Sequence, residues 1–99
     1  MNKSISQKVR DVPSTLQQRL GSCIRTLRQE AGMSQVVFGE KCGFYQTYLS
    51  RVERGLANPT INAVEVIANA LGLTVFELFE RVREQSPPSR RRRQAKAPN

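Results

Sequence analysis

Apolar residues recur along this chain at three- and four-residue steps, the spacing of one face of an α-helix. Leu16, Leu20, Ile24, Leu27 and Ala31 form the first such series, and Gly32 ends it as a left-handed cap residue. Ser34 then offers a hydroxyl to the free amides of a second helix, 35–42, which buries Phe38 and Cys42. Gly43 interrupts. A third helix follows from 46 to 54, with Leu49 and Val52 as its inward pair and Gly55 as its stop. Asn58-Pro59-Thr60 reads as a turn whose Thr60 caps a fourth helix carrying Ile61, Val64, Ile67, Ala68 and Leu71, and Gly72 closes it. Thr74 and Glu77 stand at the spacing of a capping box. The fifth helix presents Val75, Leu78, Phe79 and Val82 inward and runs to about Glu84, before Ser86-Pro87-Pro88. No segment alternates apolar and polar residues for long enough to make a strand, so the pattern predicts an all-α fold of five helices.

The second and third helices are joined by only about three residues around Gly43. So short a link forces a steep crossing, the helix-turn-helix unit. Gly39 is small where the two helices touch, and Gly43 can take the positive φ that such a turn demands. Phe38, Cys42, Phe44, Leu49 and Val52 form the inward set that locks the angle.

The run SQVVFGEKCGFYQTYLSRVERG, with LGSCIRTLR before it and NPTINAVEVIANALGLTVFELF after it, resembles the Cro- and lambda-repressor-like (XRE-type) helix-turn-helix family over roughly residues 19–81. Small phage repressors and the controller proteins of restriction-modification systems are members of this size. The resemblance implies a compact five-helix domain that binds double-stranded DNA, with helix 46–54 in the major groove. It implies base reading by Gln46, Thr47, Ser50 and Arg51, and their chemistry suits it: Gln pairs bidentately with adenine, Arg with guanine, and a Thr methyl touches thymine. Ser34, Gln35, Tyr48, Arg54, Asn58 and Thr60 would hold the phosphate backbone, Gln35 also bracing Gln46. Arg28 and Glu53 match the family's structural ion pair. Tyr45 departs from the pattern, standing where the family has a small polar cap; it either reaches a phosphate or packs on the turn.

Val66 and Phe76 lie off the main apolar faces of their helices, at positions that are commonly polar in the family. With Phe79 they suggest a self-complementary contact between two subunits. A homodimer would set two such helices one DNA turn apart, about 34 Å, on a palindromic operator. Repression would follow from blocking a promoter; activation would need contact with RNA polymerase, for which Glu40 is a candidate.

Composition adjusts this picture at its edges. The chain has 99 residues and a formal charge of +8, but the surplus is uneven. Residues 86–99, with Arg90, Arg91, Arg92, Arg93 and Lys96, carry +5; residues 1–14 carry +2; and 15–85 carry only +1. The expected organisation is a flexible N-terminal segment (1–12), a folded domain (13–85) and a disordered arginine-rich tail (86–99) that raises salt-dependent affinity for phosphates. His is absent, which removes imidazole acid–base chemistry and imidazole zinc sites. Cys23 and Cys42 are expected as buried, reduced thiols. No cofactor, metal or enzymatic activity is expected. No apolar run is long enough for a membrane span and no signal sequence precedes the first helix, so the expected location is the cytoplasm, on the nucleoid. Two other functions remain open: an antitoxin-like regulator that also binds a toxin protein, and a non-specific nucleic-acid-binding protein driven by the tail.

Overall fold

The computed structural model describes residues 15–85. The segment read as flexible (1–12) and the arginine-rich tail (86–99) lie outside the described residues. Five helices follow in order: α1 (Leu16–Glu30), α2 (Gln35–Cys42), α3 (Gln46–Glu53), α4 (Ile61–Ala70) and α5 (Val75–Gln85). No strand occurs among the described residues.

Side-chain oxygens start four of the helices. Ser34 Oγ accepts from the Val37 amide at 3.1 Å, and Thr60 Oγ1 from the Ala63 amide at 3.0 Å. Thr74 and Glu77 bond reciprocally, at 3.0 and 2.9 Å, as their spacing predicts. Thr15 and Gln18 make a second capping box at the head of α1, a Thr-x-x-Gln signal that the apolar periodicity alone does not reveal. Gly32, Gly43, Gly55 and Gly72, the four expected stops, all take left-handed backbone.

The core draws on every helix: Leu20, Cys23, Ile24 and Leu27 from α1, Phe38 from α2, and Leu49 and Val52 from α3. Val64, Ile67 and Ala68 from α4, with Leu78 and Val82 from α5, complete it. Four residues of the expected inward faces lie outside that core. Leu16 and Ile61 are each the first residue of a helix, past the reach of the neighbouring elements, and are 53 % and 79 % exposed. Ala31, the cap at the far end of α1, is exposed too. Phe79 is 38 % exposed because the inward line of α5 runs through Leu78 and Val82, one step around the helix.

No single helix among the described residues is long and apolar enough to cross a membrane. The pair α4 and α5 has that length and composition together, but it is bent by 85° and its Val64, Ile67, Ala68, Leu78 and Val82 are buried in the core.

Candidate nucleic-acid interface

The turn between α2 and α3 is set by two glycines. Gly43 caps α2 at φ 78°, ψ 26°, a conformation costly for any residue with a Cβ. Gly39 lies under the turn: a methyl there would stand 2.8 Å from the Phe44 carbonyl oxygen. The Phe44 amide in turn donates to the Gly39 carbonyl at 2.8 Å, so the chain closes tightly and α3 departs at a fixed angle.

α3 has two unlike sides. Leu49, Val52 and Glu53 are buried, whereas Gln46, Thr47, Arg51 and Arg54 are exposed and Ser50 is half-buried. The polar edge is therefore presented to solvent along the whole helix. Tyr48 stands between the two sides, half-buried, its ring packed edge-on against Phe44 at 5.1 Å between centroids. Tyr45 is 86 % exposed and makes no side-chain cap bond, so it does not pack on the turn.

Behind α3 lies a polar chain. The Arg28 guanidinium grips the Glu53 carboxylate with two hydrogen bonds, Nε to Oε2 at 2.6 Å and Nη2 to Oε1 at 3.0 Å. Its Nη1 donates to the Met33 carbonyl at 2.8 Å. Gln35 Nε2 donates to the same Glu53 Oε1 at 3.0 Å, and Gln46 Nε2 donates to Gln35 Oε1 over a longer 3.4 Å. Both charges of the pair are buried, and the fork-on-fork geometry satisfies them mutually. Beside this chain a cleft of about 350 Å³ is lined by Arg25, Arg28, Gln35, Ser50, Glu53 and Arg54. Neither thiol takes part in this arrangement. Cys23 is buried as expected, whereas Cys42 is only half-buried; burial pushes the Cys23 thiol up to about 11 and raises that of Cys42.

This geometry, an exposed polar edge on a short helix held from behind by a glycine turn, coincides with a known sequence pattern: a model described as "Helix-turn-helix domain" matches residues 19–86. The chain belongs to the XRE-type, Cro- and lambda-repressor-like helix-turn-helix family. Among relatives, it is 42 % identical over 59 residues to the uncharacterized HTH-type transcriptional regulator y4dJ of Sinorhizobium fredii, covering 60 % of this chain and 77 % of the relative. It is 36 % identical over 56 residues to the immunity repressor protein of Bacillus phage phi105, covering 57 % of this chain but only 39 % of that longer protein. Among solved structures it is similar to the restriction-modification controller protein C.Esp1396I, seen as a tetramer in complex with its natural 35 base-pair operator. The TM-score is 0.67 at 31 % identity, over 72 % of this chain and 93 % of that one.

Within this helix-turn-helix domain the expected site residues divide into groups. Gln46, Thr47, Ser50 and Arg51 share one edge of α3, with the Arg51 Nη2 resting on the Leu56 carbonyl at 2.9 Å. Arg54 Nε approaches the Ser50 carbonyl at 3.4 Å. Ser34 and Thr60 spend their oxygen lone pairs as helix caps, which leaves each hydroxyl proton available. Asn58 stands elsewhere, on the rim of an apolar groove of about 300 Å³ lined by Leu16, Leu20, Pro59, Ile61, Val64 and Phe79. Phe79 thus has Leu16 and Ile61 for company, while Val66 and Phe76, 38 % and 81 % exposed, do not line that groove. Two residues were missed by reading the pattern. Arg25 shares the cleft with Arg54; its place three residues before Arg28, on the same side of α1, was the available signal. Gln17 Nε2 donates to the Gly55 carbonyl at 3.0 Å and ties α1 to the end of α3, a contact 38 residues apart with no local signature.

Proposed function

We propose that this chain is a sequence-specific, double-stranded-DNA-binding transcriptional regulator. It acts as a homodimer on a palindromic operator, with α3 of each subunit in the major groove. The observation that carries this reading is the polar edge of α3, on which Gln46, Thr47 and Arg51 are exposed and Ser50 half-buried while the opposite side is locked in the core. Those four read base edges. Gln35, Arg54 and the hydroxyls of Ser34 and Thr60, with Tyr48 and Asn58, hold phosphates and set the register. Arg51 leaves the Leu56 carbonyl to do so, an exposed hydrogen bond whose loss costs about 1 kcal/mol. The dimer buries Val66, Phe76 and Phe79, three exposed apolar side chains on α4 and α5. The working location is the nucleoid, in the cytoplasm. Promoter occupancy blocks RNA polymerase, or the exposed Glu40 on α2 touches it.

The near-neutral charge of residues 15–85 makes the specific reading preferable to a purely electrostatic one, since charge alone supplies little affinity there. The five basic residues of 86–99 add affinity that falls with salt but is indifferent to sequence. The test is selection of bound sequences from random duplex DNA, repeated with Gln46→Ala and Arg51→Ala. Each change should relax preference at one base position, at about 1–3 kcal/mol. Uniform weakening on all sequences would make these residues backbone contacts instead.

A further inference from the structure

The ion pair and the base-reading edge are joined by a hydrogen-bond chain that has a direction. A guanidinium only donates, and a carboxylate paired with it only accepts. Glu53 Oε1 takes bonds from Arg28 and from Gln35, so the Gln35 amide must turn its nitrogen inward. Its oxygen then faces out and accepts from Gln46 Nε2. The Gln46 amide is consequently left with one N–H and its carbonyl oxygen directed away from the protein. Adenine offers the complement in the major groove, the N7 acceptor beside the N6 donor, whereas guanine offers two acceptors.

We propose that Glu53 is a specificity-determining positioning residue: through Gln35 it fixes which way the Gln46 amide faces, and so favours adenine over guanine at the base that Gln46 meets. The inference rests on the proposed reading role of Gln46. Its anchor lies behind α3, in Arg28, Glu53 and Gln35, and only its last link, Gln46, meets the base. Replacing Glu53 by Gln puts a group that both donates and accepts at the anchor. The Gln35 and Gln46 amides can then rotate together, turning two N–H groups outward and admitting guanine.

The experiment first finds the operator by selection, then locates the base pair at which Gln46→Ala loses preference. Affinities are measured on duplexes carrying adenine or guanine there, for the wild type, Glu53→Gln and Gln35→Met, each also with Gln46→Ala. Gln35→Met leaves the Arg28–Glu53 pair whole and breaks the chain at its middle link, so it decides the matter if Glu53→Gln fails to fold. The expected result is a fall of roughly tenfold in the adenine-to-guanine ratio for both variants, with no further fall once Gln46 is alanine. A role confined to folding would instead lower affinity on both duplexes alike. A wild-type ratio in Gln35→Met, or in a folded Glu53→Gln protein, overturns the proposal. A Gln46→Ala protein that weakens on every sequence equally overturns the reading beneath it, an outcome separable from the first.

Discussion

α2 and α3 are each eight residues long and meet across a single turn, yet they are held by opposite means. α2 starts on a side-chain cap, Ser34, and ends on a left-handed glycine, so its termini are satisfied locally. α3 starts at Tyr45 with no side-chain cap bond and is secured from its far end. There Glu53 is gripped by Arg28, Val52 enters the core, and the Gly55 carbonyl takes a bond from Gln17. The first turn of α3 still packs Tyr48 on Phe44 and buries Leu49, but Gln46 and Thr47 on it face solvent. Under the proposed function these two are the positions where a substitution changes the sequence being read at least cost to the fold.

The contrast breaks most completely if the anchor goes. Arg28→Ala leaves the Glu53 carboxylate buried with only Gln35 beside it, at a cost of about 3–5 kcal/mol. Denaturant unfolding should show the loss, and Ser34→Ala, which removes only a cap, should cost about 1 kcal/mol by the same measure. Similar losses for both would mean that α3 is no more dependent on its rear anchor than α2 is on its cap.

Gly21 tests the same end by shape rather than charge. A methyl on Gly21 would lie 2.3 Å from the Val52 carbonyl oxygen and 2.7 Å from that of Glu53, closer than atoms approach. Gly21→Ala must push the end of α3 off α1, and about 2–3 kcal/mol of stability should go with it. DNA binding ought to fall further than stability alone explains, since the recognition edge tilts with its anchor. An unchanged melting temperature would show that the two helices separate freely there.

The fold was legible because the first four helices are each written twice, once in apolar spacing and once in a stop glycine, and the fifth in its spacing and its Thr74–Glu77 capping box. Val64, Ile67 and Ala68, or Leu20, Ile24 and Leu27, fall on one face however the ends are drawn. What failed were the ends: Leu16 and Ile61 keep the period but have no neighbour to cover them. The exposed edge of α3 was readable from the position of Leu49 and Val52, which settle where its other residues face. The bond between Gln35 and Glu53 was not, because 18 residues separate the partners and either amide orientation fits the same letters. Arg25 carries a weaker signal: its place three residues before Arg28 puts it on the same side of α1, but only the fold brings Arg54 across the cleft from it.

Cys23 gives a smaller effect with a defined sign. It lies wholly buried in α1, and its thiol is held up to about 11 against an ordinary 9.0 mainly by burial, a nearby Arg81 working the other way. At neutral pH the thiol is protonated in both folded and unfolded chains and contributes no pH dependence. Between about 9 and 11 the unfolded chain releases the proton and the folded one keeps it, so stability falls as pH rises. The wild type should lose roughly 2 kcal/mol more than Cys23→Ala across that interval. Parallel pH curves for the two proteins would contradict the burial.

The smallest change in stability is expected at Tyr45, and it has the opposite sign to the others. Tyr45 occupies the cap position of α3 but bonds to none of its free amides, and its ring stands 86 % exposed. Serine there would do for α3 what Ser34 does for α2, so Tyr45→Ser should raise stability by about 0.5–1 kcal/mol. Under the proposed function, a large side chain with a polar tip there has a use that a cap does not: its hydroxyl meets a phosphate as α3 enters the groove, a contact that fixes register without choosing a base. Tyr45→Ser should therefore melt higher yet bind operator and unrelated DNA more weakly by the same factor. Tyr45→Phe, which keeps the ring but removes the hydroxyl, should weaken binding with its melting temperature nearly unchanged. Gains in both stability and affinity on Tyr45→Ser would mean that the open cap serves no contact with DNA.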